Sequence, residues 1–350
     1  MDVGDALVTA ALGLVREEAC ERVAGAMLRV LETMEETPPA LVPHRGELPL
    51  LAAVGARYRG EFSSNRLHRL EALALRECSR SAIVAAQRGA VADVIRTAGL
   101  TPRELRGWPL ATAAYPEPEL RHAGRITMLL PQEAHPDVMA GLAAEGWNLA
   151  CPLPAFGQHQ RRLLGPQKVT VELQARRLPW MERAPWDIEG PSETEGDAAE
   201  CLLADVLARR VWEPFRKGRR WMIDTALLVN AAEPDVEETA RMLAAAGCAN
   251  IVAQELRPLG ALVPHPGKQL ADRLEGLRRR LAECGADHPV ARDIHAVSAA
   301  QFSFLRLPLV RVLRKPGLLA DFVGLRALRR EQRQGQFPRQ NVTPERPLAR

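Results

Sequence analysis

The sequence predicts an α+β fold that is mostly helical, with a small mixed sheet between two helical regions. Aromatic residues make up only 4% of the 350 residues, whereas Ala, Leu and Arg are abundant, which favours helices over a β-sandwich or barrel. Helical periodicity dominates both ends of the chain, and short strand-like segments are confined to its middle. We therefore expect an N-terminal helical region (1–99), a small α/β unit (100–178), an acidic loop (179–198), a C-terminal helical region (199–333) and a disordered basic tail (334–350).

The N-terminal region has the apolar spacing of amphipathic helices. Its first helix is predicted to be continuous, because apolar residues recur every three or four positions until the turn at Pro38-Pro39. Gly99 is expected to end the last helix in a left-handed conformation. The predicted helices span 5–33, 48–58 and 64–78, the last of which could continue over 81–98.

The middle of the chain alternates short apolar runs with helical stretches. The clearest strand pattern places Val169, Val171 and Leu173 on one face and polar residues on the other. Helices are expected up to Ala114 and over 134–145. The predicted strands are Glu104–Arg106, Arg125–Leu130, Asn148–Cys151, Arg161–Leu164 and Lys168–Gln174.

The C-terminal region again favours helices. The loop 179–198 is rich in Pro, Gly, Ser and carboxylates, so it is either a solvated linker or a source of metal ligands. The apolar and basic stretch 300–332 could cover a helical core, contact an anionic membrane or dock a protein partner. The predicted helices span 198–212, 219–231, 235–247 and 267–283.

The composition of the chain argues against several classes of protein. The 47 basic residues are nearly balanced by 43 acidic ones, so the net charge of +4 gives no argument for specific nucleic-acid binding. The six cysteines stand far apart, which indicates reduced thiols rather than zinc sites or disulfides. No apolar run reaches the roughly 20 residues that span a bilayer, and no secretory signal is evident. We therefore expect a cytoplasmic protein without a transmembrane segment.

Four short motifs then occur in order: Leu105-Arg106-Gly107, Tyr115-Pro116-Glu117-Pro118, Gly124-Arg125-Ile126-Thr127 and Leu129-Leu130-Pro131. In order and spacing they resemble an uncharacterised bacterial nucleotidyltransferase family of the polymerase-β-like superfamily. Its members typically show a leucine-Lys-Gly turn, a tyrosine-Pro-x-Pro link, a strand with Gly-Asp-hydrophobic-Asp, and then Leu-Val-Pro. The resemblance runs from about Arg80 to Pro266, and Trp221 and Asp224 resemble the family's tryptophan-x-x-Asp helix.

The resemblance implies a site whose metal ligands have been replaced. Nucleotidyl transfer normally uses Mg²⁺ held by carboxylates, two of them two residues apart on one strand. Here those two positions hold Arg125 and Thr127, and only Glu172 is placed like the third carboxylate. We therefore expect no metal cofactor and a catalytically degenerate member of the family.

Arg125 has two further interpretations. It could form an ion pair with Glu172 across neighbouring strands, or it could join Arg106 and the helix that follows Gly107 in an anion cradle. Asp224 could form a local ion pair with Arg219 or Arg220, dock two helices, or bind a ligand, and His122 could touch a ligand or be a solvated turn residue. The predicted binding residues are Arg106, Gly107, Arg125, Thr127, Glu172 and Asp224.

The leading hypothesis is an accessory protein of a bacterial biosynthetic or modification pathway. It would bind a nucleotide, another phosphorylated ligand or a protein partner. One alternative is an active transferase that uses Mg²⁺ with Glu172 and carboxylates from elsewhere, such as the loop 179–198. Another is a peripheral membrane or partner-docking protein that acts through the basic C-terminal helices in 302–350.

Overall fold

The computed structural model confirms a mostly helical α+β fold with a small mixed sheet. The acidic loop, apart from Ala198, lies outside the residues that the structure describes, as do the basic stretch 300–332 and the tail 334–350. The described residues are 2–15, 20–35, 45–122, 124–150, 160–177, 198–212, 219–263, 268–285, 287–288 and 291–292.

The prediction of one continuous helix over 5–33 is wrong. Helix α1 spans Val3–Ala11, a 3-10 turn covers Leu12–Val15, and helix α2 spans Glu21–Glu35. Gly13 explains part of the change, because a Cβ atom there would lie only 2.7 Å from Cγ1 of Val23. The missing side chain lets the turn approach α2 closely, so the two helices pack against each other.

The next two helices follow their predicted positions. Helix α3 spans Leu48–Arg57, and helix α4 runs without interruption over Ser64–Thr97. Within α4 the Ser79 hydroxyl donates a hydrogen bond of 2.8 Å to the carbonyl of Leu75, so this serine does not end the helix. Gly99 ends α4 with φ of +77°, which confirms the prediction.

The sheet contains all five predicted strands, with ends that differ from the predicted ones by at most two residues. The strand order is β1-β2-β5-β4-β3, in which β2 and β5 are parallel and the other pairs are antiparallel. Helix α5 (Trp108–Ala114) connects β1 to β2, and helix α6 (His135–Ala144) connects β2 to β3. The strands are β1 (Arg103–Glu104), β2 (Ile126–Leu129), β3 (Asn148–Leu149), β4 (Gln160–Leu164) and β5 (Thr170–Gln174).

The two faces of the sheet differ in chemistry. The apolar face carries Ile126, Met128 and Val171, which are buried in one cluster with side chains of α4 and α6. Because successive side chains of a strand alternate between faces, Thr127 and Glu172 lie on the opposite face. The polar face is therefore the face of the sheet on which a functional site would lie.

The C-terminal helices include one that sequence periodicity missed. They are α7 (Ala199–Trp212), α8 (Arg220–Ala231), α9 (Val236–Ala245), α10 (Ala249–Leu262) and α11 (Lys268–Glu283). Helix α10 was not predicted, and it contains Pro258, a residue type that usually breaks the interior of a helix. Pro258 lies on the exposed side of α10, where a distortion of the backbone is tolerated.

Helices from both ends of the chain share one apolar core. Leu7 of α1, Met27 of α2 and Val54 of α3 are buried in the same cluster as Leu207 of α7 and Ile223 of α8. The N-terminal and C-terminal helices therefore support each other, and the sheet has its own smaller core against α4 and α6.

We expect Gly165→Ala to destabilise the protein. A Cβ atom at Gly165 would lie 2.3 Å from the ring of Trp147, which is itself buried. Overpacking of this kind costs roughly 1–3 kcal/mol, which chemical denaturation would measure. Gly89→Ala is the matched control, because Gly89 lies in α4 with open space around it and should gain up to about 1 kcal/mol. Equal stability of the two variants would contradict the close packing at Trp147.

Candidate functional site

A row of polar residues crosses the centre of the sheet. Thr127 of β2 pairs in register with Glu172 of β5, which pairs in turn with Arg162 of β4. Arg125 stands two positions before Thr127 and reaches the same carboxylate. The structure therefore brings together three of the predicted site residues: Arg125, Thr127 and Glu172.

The Glu172 carboxylate is bound by two arginines. Its Oε1 atom accepts hydrogen bonds from Nη1 of Arg125 at 3.1 Å and from Nη2 of Arg162 at 2.6 Å, while its side chain is only 2% exposed. Burial alone would raise the pKa of Glu172, but the guanidiniums of Arg125, Arg162 and Arg106 outweigh it and lower the pKa. Glu172 is therefore charged at neutral pH, and the predicted ion pair with Arg125 is confirmed.

Arg106 lies in an unusual backbone conformation. Its φ of +68° is in the left-handed region, which costs a residue with a side chain roughly 1–2 kcal/mol. The side chain reaches the polar face, where Nη2 donates a hydrogen bond of 2.6 Å to Oε1 of Gln174. The strained turn thus directs a guanidinium towards the space beside the sheet.

The start of α5 is capped by a carboxylate of the chain itself. Oε1 of Glu104 accepts a hydrogen bond of 3.3 Å from the Trp108 N–H, and Arg88 binds the other oxygen of Glu104. A Cβ atom at Gly107 would lie 2.8 Å from the same Oε1 atom, so glycine lets the carboxylate approach. An anion at the start of this helix would be repelled by the negative charge of Glu104. The helix that follows Gly107 therefore gives little support to an anion cradle.

Asp224 docks α8 onto the segment between α5 and β2. Its carboxylate accepts hydrogen bonds from Nε of Arg121 at 3.0 Å and Nη2 of Arg121 at 2.9 Å, and from the Tyr115 hydroxyl at 2.6 Å. Burial would raise the pKa of Asp224, but Arg121 outweighs it and lowers the pKa. The predicted docking role is confirmed, and among the described residues the ion pair of Asp224 is with Arg121 rather than with Arg219 or Arg220.

His122 lies near the same junction and is mostly buried. Its Nδ1 atom is 3.5 Å from Oε2 of Glu77, a separation that would favour a charged ring. Burial and the nearby guanidiniums of Arg220, Arg80 and Arg121 oppose that charge and lower the pKa of His122 to about 4. Burial and the three cations outweigh the attraction of Glu77, so His122 is neutral near pH 7 and packs inside the junction.

A cavity of about 360 Å³ opens beside Arg106, between α5 on one side and α7 and α8 on the other. Its size is within the usual range for small-molecule sites. Five of the lining residues are arginines and three are carboxylates. The lining consists of Glu47, Arg106, Leu110, Arg121, Leu202, Asp205, Val206, Arg209, Arg210, Arg220, Trp221 and Asp224.

Sequence reasoning found only part of this cavity. It named Arg106, Trp221 and Asp224, but not Arg209 and Arg210 of α7. The sequence feature that could have identified them is the pair of adjacent arginines at the end of the apolar helix α7. Their contact with the cavity depends on how α7 packs, which the spacing along one helix does not reveal.

Within the ranges that the structure describes, no group of three or more His, Cys, Asp and Glu residues is placed to hold a metal ion. In the same ranges, no helix is long and apolar enough to cross a lipid bilayer.

A family model described as an uncharacterised nucleotidyltransferase matches residues 49–263. The match begins in α3, includes the whole sheet and ends just after α10, so it covers more than half of the chain. It contains every binding residue that the sequence predicted. No curated protein and no solved structure matches the chain.

We expect Asp224→Asn to destabilise the protein strongly. The change removes the charge that compensates the buried Arg121 guanidinium, and breaking a buried pair costs about 3–5 kcal/mol. Denaturant unfolding would measure the loss. Asp93→Asn is the control, because the Asp93 side chain is 75% exposed and its pair should be worth less than about 1 kcal/mol. Similar losses in the two variants would rule out the docking role of Asp224.

The depressed pKa of His122 predicts a loss of stability in mild acid. An unfolded histidine has a pKa of about 6.5, whereas that of folded His122 is about 4. As the pH falls from neutral towards 4, the unfolded chain takes up a proton that the folded chain excludes, so the free energy of unfolding decreases. His122→Asn should flatten this dependence between about pH 7 and pH 5. Parallel unfolding curves for parent and variant across that range would contradict the assignment.

Proposed function

The chain belongs to the uncharacterised nucleotidyltransferase family, and we propose that it binds an anionic ligand without performing metal-dependent transfer. In this proposal it is a cytoplasmic accessory protein of a bacterial biosynthetic or modification pathway. Its ligand is a nucleotide or another phosphorylated compound.

The chemistry of nucleotidyl transfer carries the first step of the proposal. The reaction places negative charge around the attacked phosphorus, and divalent ions normally neutralise this charge and align the nucleophile. Magnesium needs oxygen ligands, most often carboxylates and water. On this sheet the positions expected for the two neighbouring carboxylates hold a guanidinium, Arg125, and a hydroxyl, Thr127.

The observation that carries the proposal is the pairing of Glu172 with two arginines. Its carboxylate is buried and already accepts hydrogen bonds from Arg125 and Arg162. A divalent cation at this place would have to displace two guanidiniums and would be repelled by their charge. These residues therefore do not fit a magnesium site. The arginines can neutralise a phosphate group, but they cannot activate a nucleophile.

The main alternative is an active transferase that combines Glu172 with carboxylates from another part of the chain. The acidic loop 179–198 is such a source in the sequence, and 179–197 lies outside the described residues. The two hypotheses differ in their dependence on metal. An active enzyme needs the divalent ion for binding or turnover, whereas the proposed function does not.

We expect nucleoside triphosphates to raise the melting temperature of the protein equally with Mg²⁺ and with a chelator, because the arginines supply the positive charge. Release of pyrophosphate from the triphosphate should not exceed the rate without protein. Turnover that requires Mg²⁺ and disappears in Glu172→Gln would overturn the proposal in favour of the active transferase.

A gain-of-function variant tests the same site from the opposite direction. The double change Arg125→Asp with Thr127→Asp would place two new carboxylates beside Glu172, since Thr127 and Glu172 are paired in register. The variant should be less stable than the parent in a chelator and should be stabilised by Mg²⁺, while the parent is indifferent. A parent protein that Mg²⁺ alone stabilises would count against the loss of the metal site.

A further inference from the structure

We propose that Arg125 and Arg162 form a clamp for one phosphoryl group on the polar face of the sheet, and that the Glu172 carboxylate between them competes with this ligand. The inference rests on the proposed function, because it names the residues that hold the anion and the chemical group that they recognise. It adds Arg162, which is absent from the binding residues predicted from the sequence. It leaves out the start of α5, where Glu104 already caps the helix.

Three neighbouring strands bring the two guanidiniums of the clamp together. Glu172 lies on β5, which has β2 on one side and β4 on the other. Arg162 of β4 is its direct partner in the register, and Arg125 immediately precedes β2. Nη1 of Arg125 and Nη2 of Arg162 both donate to Oε1 of Glu172, at 3.1 Å and 2.6 Å. Because both cations contact one oxygen atom, they lie close enough to bind one small anion from two sides.

The clamp carries more positive than negative charge. Its two guanidiniums share a single carboxylate, which leaves an excess of one positive charge. In the part of the chain that the structure describes, neither Arg125 nor Arg162 forms a second ion pair. Two like charges that are held side by side repel each other, so an added anion would stabilise the pair.

The arginines form the solvent side of the clamp. The side chains of Arg125 and Arg162 are 37% and 39% exposed, whereas that of Glu172 is 2% exposed. The carboxylate therefore lies beneath the guanidiniums, towards the sheet. A ligand that approaches from solvent meets the two cations before it meets the negative charge.

Both guanidiniums keep hydrogen-bonding capacity that Glu172 does not use. A guanidinium has five N–H donors, and each arginine of the clamp gives one of them to the carboxylate. Nε of Arg162 has no acceptor among the described residues. A phosphoryl group presents three strong acceptor oxygens. It therefore suits donors that arrive from two directions, and guanidiniums bind such groups through paired hydrogen bonds.

Glu172 determines how strongly the clamp attracts its ligand. The carboxylate is charged at neutral pH because the surrounding guanidiniums lower its pKa, so it competes with an incoming anion. A phosphate monoester carries about −1.5 to −2 charges at pH 7, more than the one positive charge that Glu172 leaves. Removal of the carboxylate charge would raise the excess to two and match the monoester. Binding should then become tighter, which is the opposite of the result for a carboxylate that holds a metal.

Isothermal titration in a chelator should compare AMP, ATP, inorganic phosphate and uncharged adenosine. We expect AMP and ATP to bind with affinities within about threefold of each other, since the clamp contacts one phosphoryl group, and adenosine should not bind measurably. Inorganic phosphate separates two sources of the group. Affinity equal to that of AMP assigns free phosphate, and affinity at least about tenfold weaker assigns a phosphate ester. No binding by any phosphorylated probe, or ATP at least about tenfold tighter than AMP, would overturn the inference.

Glu172→Gln is the most informative variant, because the amide keeps the shape of the side chain and loses its charge. We expect it to bind AMP roughly tenfold more tightly than the parent does. Arg162→Gln should weaken AMP binding by roughly tenfold or more. Arg96→Gln is the matched control, since Arg96 is an ion-paired, 54% exposed arginine of α4, which packs against the opposite face of the sheet. The control should leave the affinity within about twofold.

A double variant covers the case in which Arg162→Gln unfolds because Glu172 keeps only one cation. Glu172→Gln combined with Arg162→Gln has no carboxylate at this place, so its charges need no second arginine. It should bind AMP at least about tenfold more weakly than Glu172→Gln alone. The same affinity in these two variants would overturn the clamp.

The variants also separate this inference from the proposed function. If AMP binds in the chelator and neither Arg162→Gln nor Glu172→Gln changes its affinity, the clamp is wrong, while metal-independent binding stands. If every phosphorylated probe requires Mg²⁺ and Glu172→Gln abolishes binding, the proposed function itself fails.

Discussion

A charge buried beside the sheet of this protein is stabilised by an opposite charge next to it, and the structure around the sheet depends on this constraint. Three buried carboxylates meet it in the same way. Glu172 accepts hydrogen bonds from Arg125 and Arg162, Asp224 from Arg121, and Asp205 lies between Arg177 and Arg209. Since each of these five cations is an arginine, the compensating charges are permanent and their hydrogen-bonding geometry is rigid.

The Asp224–Arg121 pair has a structural consequence beyond its own energy. It holds α8 against the segment between α5 and β2, and Tyr115 adds a third hydrogen bond to the same carboxylate. The cavity lies beside this junction, with Arg121 and Asp224 in its wall. A bidentate contact fixes orientation as well as distance, so the pair determines how the C-terminal helices face the sheet. The shape of the cavity therefore depends on a contact between residues far apart in sequence.

Local patterns predicted much of the secondary structure, and their failures have physical causes. The alternation in β5 and the glycine after α4 were read correctly, because a two-residue period and a left-handed turn are local properties. The break between α1 and α2 was missed, since apolar spacing continues across it and only the close approach of Gly13 to Val23 shows why the chain turns. Helix α10 was missed because the sequence does not show that Pro258 faces solvent.

The site was predicted less completely than the fold for a related reason. The pairing of Arg125 with Glu172 followed from the family resemblance, which implies that Glu172 lies on a neighbouring strand, and it was confirmed. The convergence of Arg106, Arg209 and Arg210 could not follow from spacing, because it needs the packing of α7 against α5 and α8. The left-handed conformation of Arg106 could not be predicted either, since arginine has no preference for the positive φ angles that glycine adopts easily.

Replacing a metal ion by arginines changes what a site of this family can do. A bound Mg²⁺ draws its ligands and the phosphate oxygens into one coordination shell, and it can move with the reacting group. A guanidinium is attached to the fold, so it neutralises an anion at a fixed place and binds it through directed hydrogen bonds. Carboxylates that would hold a metal must then be paired with arginines, as Glu172 is, or their buried charge would destabilise the sheet. The proposed loss of transfer chemistry and the proposed gain of metal-independent binding are therefore two consequences of one electrostatic exchange.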